Sequence, residues 1–295
     1  MPEPRTVLVT GGTGNTGRRI VATLTAHRHP VRAASRHRPT DAVAASSHVP
    51  FDWHDPATHG AAVDGVHAVY LMPPPATADP VGHLKAFLDL AQDAGVRRIV
   101  LLSSSAIRTG DPGPGQLPAT IADRFPEWAV LRPSWFMQNF VAEHHHHGAS
   151  IRRDGEIVTA TGDGRVGFID AADIAAVAVR ALTDPVPHNA EYLLTGPQTH
   201  SYRDVAAMIS EVGGRPVRHR AVDVDTMRRR LVDAGIPDSF ATLLAGMDGA
   251  IAAGAENRTT STVADVTGRQ PTSLRDFCTA HADHWQPAVR TRSPS

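Results

Sequence analysis

Thr6–Ala26 reads TVLVTGGTGNTGRRIVATLTA. Its first five residues, Thr6–Thr10, form a short apolar run of the kind that makes a buried strand. From Gly17 to Arg28 the apolar residues Ile20, Val21 and Leu24 then recur on one face at helical spacing. Gly11, Gly12 and Gly14 stand between the two runs and Gly17 opens the second, with Gly11, Gly14 and Gly17 at a three-residue spacing. Strand, tight turn and helix N-terminus in that order make a cradle for a pyrophosphate. Glycine takes the positive-φ turn, and its missing side chain lets backbone N–H groups and the helix dipole approach the phosphate. The last glycine lets the helix pack close to the strand. The spacing is Gly11-x-x-Gly14-x-x-Gly17, not G-x-G-x-x-G. Gly11, Thr13, Gly14, Asn15, Thr16 and Gly17 are therefore the candidate dinucleotide contacts.

The next strand, Val31–Ser35, runs into Ser35-Arg36-His37-Arg38. About 20 residues past such a turn, an NAD-type site carries an acid that binds the ribose diol. Here the position carries arginine, whose guanidinium suits a 2′-phosphate dianion. Arg36 is the first choice for that contact, with Arg32 or Arg38 in support, and the expected cofactor is NADP(H) in preference to NAD(H). Asp52 and Trp53, which follow a third strand, are placed against the adenine. Met72, at the end of the strand Ala68–Met72 that Pro73-Pro74-Pro75 closes, and Ser103, at the end of Arg98–Ser103, complete the cofactor set.

Helix Val81–Ala94, with Leu84, Phe87, Leu88 and Ala91 on its apolar face, is stopped by Gly95, and Trp128–Arg132 reads as a further strand. Strands alternating with helices predict a parallel sheet covered on both faces. The right-handed crossover rule makes it a doubly wound α/β Rossmann fold. After about Ser134 the rhythm breaks into short strand-like pieces, Gly155–Ala160, Arg165–Ile169 and Tyr192–Thr195. Helical patterns lie at Asp173–Leu182, Ser201–Val212, Asp225–Asp233, Asp238–Ala253 and Ser273–Trp285. The expected organisation is a dinucleotide-binding domain over 1–150 with sheet returns in 151–195. A smaller, mainly helical substrate lobe follows over 196–286, then a disordered tail over 287–295.

The chain has 295 residues, a formal net charge of -1 and one cysteine, Cys278. Near-neutral charge gives no pull toward nucleic acid or an anionic membrane. A lone cysteine excludes an internal disulfide framework and fits a reducing compartment. The N-terminus shows no signal-peptide pattern, and no apolar stretch approaches the ~20 residues that span a bilayer. A cytosolic monomer or homodimer acting on a small molecule, without nucleic-acid or membrane partners, is expected.

Four segments carry a family resemblance: TGGTGNTG at Thr10–Gly17, RIVLLSSS at Arg98–Ser105, LRPSWFMQNF at Leu131–Phe140, and GDGRVGFIDAADIAAVAVRAL at Gly162–Leu182. Together they resemble the NmrA-like group of atypical short-chain dehydrogenase/reductases over roughly the whole chain. The resemblance implies the Rossmann fold and an NAD(P) cofactor. It implies chemistry only loosely, because the group holds quinone and azo reductases, iminium reductases and redox-sensing regulators.

Ordinary short-chain dehydrogenases use a Tyr-x-x-x-Lys pair as proton source. The tyrosines here are Tyr70, Tyr192 and Tyr202, and Pro74, Gly196 and Ala206 stand four residues on. The only lysine, Lys85, falls on a helix after the fourth strand. A positioned proton donor is worth about two to four orders of magnitude in rate. Its absence favours acceptors that need little help, such as an iminium, a quinone or a conjugated carbonyl. Ser104, on the crevice edge of the sheet, and His144, the first of four consecutive histidines, are the candidate catalytic groups. Trp135, Phe136 and Asn139 are expected to wall the substrate pocket.

No metal is expected, because consecutive histidines on a helix do not face one point and only His144 and His147 would share a face. A solvated helix face is the bland alternative for that run. The Gly/Pro-rich segment between Ala106 and Phe125 reads as a loop able to serve as a lid. Asp173 is read as dipole and capping support for the helix it starts. An NADPH-dependent reductase leads. A non-enzymatic NADP(H) sensor and a non-redox isomerase or cyclase are the alternatives.

Overall fold

The computed structural model describes residues 5–38, 47–74 and 81–285. Pro75 and the tail 287–295 lie outside the described residues. The strands are β1 (Thr6–Thr10), β2 (Val31–Ser35), β3 (Ser47–Pro50), β4 (Val66–Leu71), β5 (Arg98–Leu102), β6 (Glu127–Pro133), β7 (Glu156–Thr159), β8 (Arg165–Val166), β9 (Ala190–Leu194), β10 (His200–Ser201) and β11 (Arg218–Ala221). The helices are α1 (Gly17–Ala26), α2 (His59–Val63), α3 (Val81–Asp93), α4 (Leu117–Arg124), α5 (His146–Asp154), α6 (Ala171–Thr183), α7 (Tyr202–Gly213), α8 (Val224–Asp233), α9 (Asp238–Ala252), α10 (Thr262–Thr267) and α11 (Leu274–Ala280). No helix of the described residues is long and apolar enough to cross a membrane.

The chain divides into two compact units. Unit 1 takes the described residues up to Ser134 together with Ala171–Thr195 and Thr260–Pro271. Its seven strands run in the order β3-β2-β1-β4-β5-β6-β9, and every neighbouring pair is parallel. This is the doubly wound arrangement, with the strand order turning between β1 and β4. Val7, Leu8 and Val9 of β1 are all buried, as a strand covered on both faces requires. On one face, α1 supplies Ile20, Val21 and Leu24, and α6, nearly all small aliphatics, lies beside it. On the other face, Leu84, Phe87, Leu88 and Ala91 of α3 join Phe51 and Trp53 in one core.

The same core contains Leu117 and Ile121, so the segment expected to be a loop or lid is corrected here. It closes as a 3-10 turn, Gly113–Gln116, followed by α4. Pro118 stands at the start of that helix, where a missing N–H costs nothing. Two aliphatics four residues apart then bury one face. The Gly/Pro content marks how the helix begins, not an absence of structure.

Unit 2 takes Trp135–Asp170, Gly196–Thr259 and the described residues from Thr272 on. β7 pairs with β11 in parallel and β8 with β10 antiparallel. Ser201 and Asp204 form a reciprocal capping box at the start of α7, which fixes where that helix begins. Phe140, Phe168 and Tyr202 meet ring to ring. Trp285 donates from Nε1 to the Phe140 carbonyl at 3.1 Å.

One buried charge ties unit 1 together. Arg98, at the start of β5, reaches Glu127 at the start of β6, with Nε and Nη2 both 2.7 Å from Oε2. Its Nη1 donates to the carbonyls of Ala181, Leu182 and Asp184 at the end of α6. A guanidinium therefore caps a helix whose last carbonyls have no intrahelical partner. Replacing Arg98 with Ala leaves the part-buried Glu127 with only the exposed Arg97 at 3.7 Å and takes the donor from three carbonyls at once. Arg98→Ala is expected to lower stability by about 3–5 kcal/mol in urea unfolding, and a change under 1 kcal/mol would refute the clamp.

Candidate functional site

The glycine turn sits at the carboxyl end of β1, where the strand order turns, which is where open α/β sheets bind ligands. Gly11 has φ +63°, and a side chain there would overlap the Met72 side chain. A Cβ at Gly17 would overlap the Gly11 carbonyl, so the first turn of α1 comes down directly on the loop. A buried chain of hydrogen bonds holds β4 to both. Thr10 Oγ1 donates to the Tyr70 carbonyl at 3.0 Å, Tyr70 Oη donates to Thr16 Oγ1 at 2.9 Å, and the Met72 amide donates to Thr10 Oγ1 at 2.8 Å. Burial pushes the Tyr70 phenol up; it is a structural donor, not an acid.

Around this turn lies a cavity of about 200 Å³ lined by Gly11, Thr13, Gly14, Ser35, Arg36, Phe51, Asp52, Trp53, His54 and Met72 among others. Seven of the residues expected to hold the cofactor thus meet there: Gly11, Thr13, Gly14, Arg36, Asp52, Trp53 and Met72. The others lie outside that lining. Thr16 is buried beneath the turn, Asn15 offers its carbonyl to Arg19 at 2.7 Å, and Gly17 provides the close approach. Ser103 gives its amide to the Leu131 carbonyl at 2.7 Å. Arg32, named as support for Arg36, is turned to the carbonyls of Ala61, Ala62 and Asp64.

A dinucleotide fits these residues. α1 has no acid in its first turn and no side-chain cap; its Arg18, Arg19 and Ile20 amides already donate to the Gly14 and Thr16 carbonyls, so what the helix end offers an anion is chiefly its dipole. Arg36 is exposed at the cavity and makes no ion pair with any described residue. Trp53 presents only a rim: it is 7% exposed and packs edge-on against Phe51 and Phe87. Asp52 accepts the His54 amide on Oδ1 at 3.0 Å, which leaves Oδ2 as its other acceptor. Ser104 Oγ accepts the Ala106 amide at 3.2 Å, a local turn contact that leaves its hydrogen to donate.

Unit 2 has a cavity of about 130 Å³. Trp135 and Asn139 line it, as expected of pocket residues. Phe136 is instead bridged to Ile169 and does not line it. The histidine run behaves differently from a solvated helix face. α5 begins only at His146, and His145 is its cap, with extended backbone (φ -88°, ψ 137°). The bend turns His145, His146 and His147 into this cavity with ring centroids 4.0–5.1 Å apart. His144 is exposed and outside the lining.

Burial, with help from the neighbouring rings, lowers His145 to about 3. Burial and Arg230 lower His146 to about 4, and burial holds His147 well below the usual imidazole value. All three are neutral at pH 7. Asp248, on α9, lies in the same lining. It accepts the Ala160 amide at 2.8 Å and is pushed up by burial to about 6.

Sequence reasoning missed Asp248 and Tyr202. A signal for the first was present: Ala241, Ala245, Asp248 and Ile251 share the buried face of α9, so a carboxyl stands where the helix expects an aliphatic. Asp170 accepts from the buried Gln138 at 2.9 Å. Cys278 is buried and pushed up to about 12 by burial, which removes it from nucleophilic chemistry.

A family model for NAD(P)H-binding proteins matches residues 11–185. An uncharacterized oxidoreductase of Bacillus subtilis, YesF, is 41% identical over 97% of this chain and 98% of its own length. An NAD(P)H azoreductase of Xenophilus azovorans is 33% identical over 94% of this chain and 98% of its own. Among solved structures, an NADPH-dependent quinone oxidoreductase from Escherichia coli, in complex with NADPH, superposes with a TM-score of 0.79. It covers 93% of this chain and 99% of its own at 22% identity.

The neutral imidazoles make a prediction about acid. In the unfolded chain each titrates near 6.5, the value from which His145, His146, His147 and His219 are all lowered. Below that pH the unfolded state binds protons the folded state refuses, so stability falls as pH drops. Asp248 works the other way between the ordinary carboxylate range and about 6, one proton against several. The melting temperature is expected to fall steadily from pH 7 to pH 5, with a shallower fall in His146→Gln. A flat profile in the parent would show that the rings are not buried as neutral groups.

Proposed function

Because the chain belongs to the NAD(P)H-binding family of NmrA-like, atypical short-chain dehydrogenase/reductase oxidoreductases, we propose that it is an NADPH-dependent reductase of small, electron-poor organic molecules. One observation carries this: an exposed guanidinium, Arg36, that makes no ion pair with a described residue lines the same cavity as the glycine turn. An N-terminal helix end takes the pyrophosphate, and Arg36 takes the 2′-phosphate through two charge-assisted hydrogen bonds. Asp52 and the rim of Trp53 receive the adenine. When bound, the nicotinamide supplies the hydride.

The chain contains no Tyr-x-x-x-Lys pair, so the acceptor is one whose reduction needs little proton assistance. An iminium takes hydride at carbon and keeps the electron pair on nitrogen; quinones and conjugated carbonyls spread the charge they gain. Ser104 orients the acceptor through its hydroxyl hydrogen. Trp135 and Asn139 line the cavity of unit 2 as candidate pocket residues, and the rings beside them, lowered by burial, are neutral at pH 7 and supply no proton. The azoreductase among the relatives fits acceptors of this kind.

The test is NADPH oxidation followed by absorbance with a panel of iminium ions, quinones and conjugated carbonyls. Protein-dependent consumption with at least one class is expected. Tight NADPH binding with no consumption across the panel would replace the reductase by a sensor or by a non-redox enzyme, the latter revealed by conversion without oxidation. Arg36→Glu is expected to weaken NADPH binding by about tenfold or more, the equivalent of 1.5–3 kcal/mol for hydrogen bonds to a charged group, while NADH binding changes far less. Unchanged NADPH affinity would remove Arg36 from the site.

A further inference from the structure

The cavity of unit 2 holds more nitrogen donors than an organic acceptor needs. We infer that His145, His146 and His147 form a binding site for a borderline transition-metal ion of the zinc type, with Asp248 as the carboxylate in the same lining. The inference goes beyond the reductase reading and does not depend on it. One nitrogen from each ring lies within 4.8 Å of the other two. Three consecutive residues of a regular helix would splay about 100° apart. They converge because His145 is an extended cap and His146 the first helical residue.

A second observation points to a ligand. His147 is 5% exposed, and its Nδ1 is buried without a hydrogen-bond partner. A buried polar atom left unsatisfied costs about 1–3 kcal/mol, and a cation is one way to recover it. The ring itself is fixed by stacking on Phe140, with centroids 5.8 Å apart, and by contact with Tyr202 at 5.3 Å.

The donor set selects the ion. Imidazole nitrogen suits zinc, copper, cobalt and nickel, whereas magnesium and calcium prefer oxygen. A tetrahedral zinc ion with bonds of about 2.0–2.1 Å sets its ligand atoms about 3.4 Å apart, so the rings close by about 1 Å on loading. His145 and His146 are only half-buried and can turn. His145 already has the His147 amide on Nδ1 at 3.2 Å and the Asn139 backbone as partners. A metal takes Nδ1 in place of the His147 amide, and the remaining ring N–H keeps the Asn139 backbone as the outer hydrogen bond that orients a ligating ring. Asp248, its Oδ2 held by the Ala160 amide, shares the lining but is not one of the three groups whose ligand atoms converge, so the fourth position is left to solvent or a ligand.

The probes are zinc chloride by calorimetry and cobalt chloride by visible absorption, on the full chain without dinucleotide. One ion per chain is expected, with the intense d–d bands of four-coordinate cobalt and a raised melting temperature with zinc. His146→Ala is expected to lower zinc affinity by more than about 100-fold, since even an outer-shell partner is worth 10–100-fold. His144→Ala, which changes an exposed ring outside the lining, is expected to leave it unchanged.

Equal losses in the two variants, or more than one ion per chain, would mark an exposed histidine tract and overturn the site. So would six-coordinate cobalt spectra or no binding. If His146→Ala does not fold, cobalt spectra and the zinc-induced melting shift of the parent chain still decide the matter. NADPH oxidation enters none of these readouts, so the reductase reading and the metal site fail separately.

Discussion

The close approach of Gly17 to the Gly11 carbonyl sets the geometry of unit 1. With no side chain between them, α1 starts directly over the end of β1, and its N-terminal N–H groups point back at the loop. Two further contacts stiffen the arrangement from below, through Tyr70 and Thr10. β4 is therefore locked to the turn across the gap where the strand order changes. A single methyl group at position 17 would lift the helix away from the strand and open the phosphate cradle. The other contacts of the turn depend on that clearance.

The two cavities manage their polar groups in opposite ways. In unit 1 the charged group is exposed, so it carries little desolvation cost. In unit 2 the imidazoles are taken out of water as neutral rings, and the carboxyl of Asp248 carries part of a proton to the same end. Buried polar groups cost stability unless paired. Unit 2 carries that cost in every molecule, and such a cost is tolerated where binding or chemistry draws on it.

Local signals made most of unit 1 legible in the sequence. The run Thr6–Gly17 encodes strand, turn and helix within twelve residues, and Leu84, Phe87, Leu88 and Ala91 mark one face of α3 without reference to anything else. Arg36 was legible because a residue type stood at a position with a chemical expectation. What failed to show depends on contacts distant in sequence. α4 forms because Leu117 and Ile121 find a core made by α3 and β4–β6, and its glycines and prolines conceal it. The histidine run was misread through an assumption of regular helix. A cap residue breaks the 3.6-residue period, so side chains that should diverge come together. Asp248 stands on the buried face of α9, which a local pattern can show, but its raised value comes from burial in the folded cavity, against which the Ala160 amide works, and that depends on packing distant in sequence.

Unit 1 is assembled from three stretches of chain, the last ending at Pro271. Synthesis delivers them in order, at some 5–20 residues per second. When β6 leaves the ribosome, its outer edge has no neighbour; β9, its parallel partner, follows nearly sixty residues later. α6, with the carbonyls that Arg98 will hold, arrives in that same interval, and α10 only after most of unit 2. For several seconds the nascent sheet therefore presents an open, unpaired edge of apolar strand, the form most prone to pairing with another chain. The protein's exposure to aggregation is thus greatest during its own translation, and the price is set by topology rather than by the stability of the finished fold.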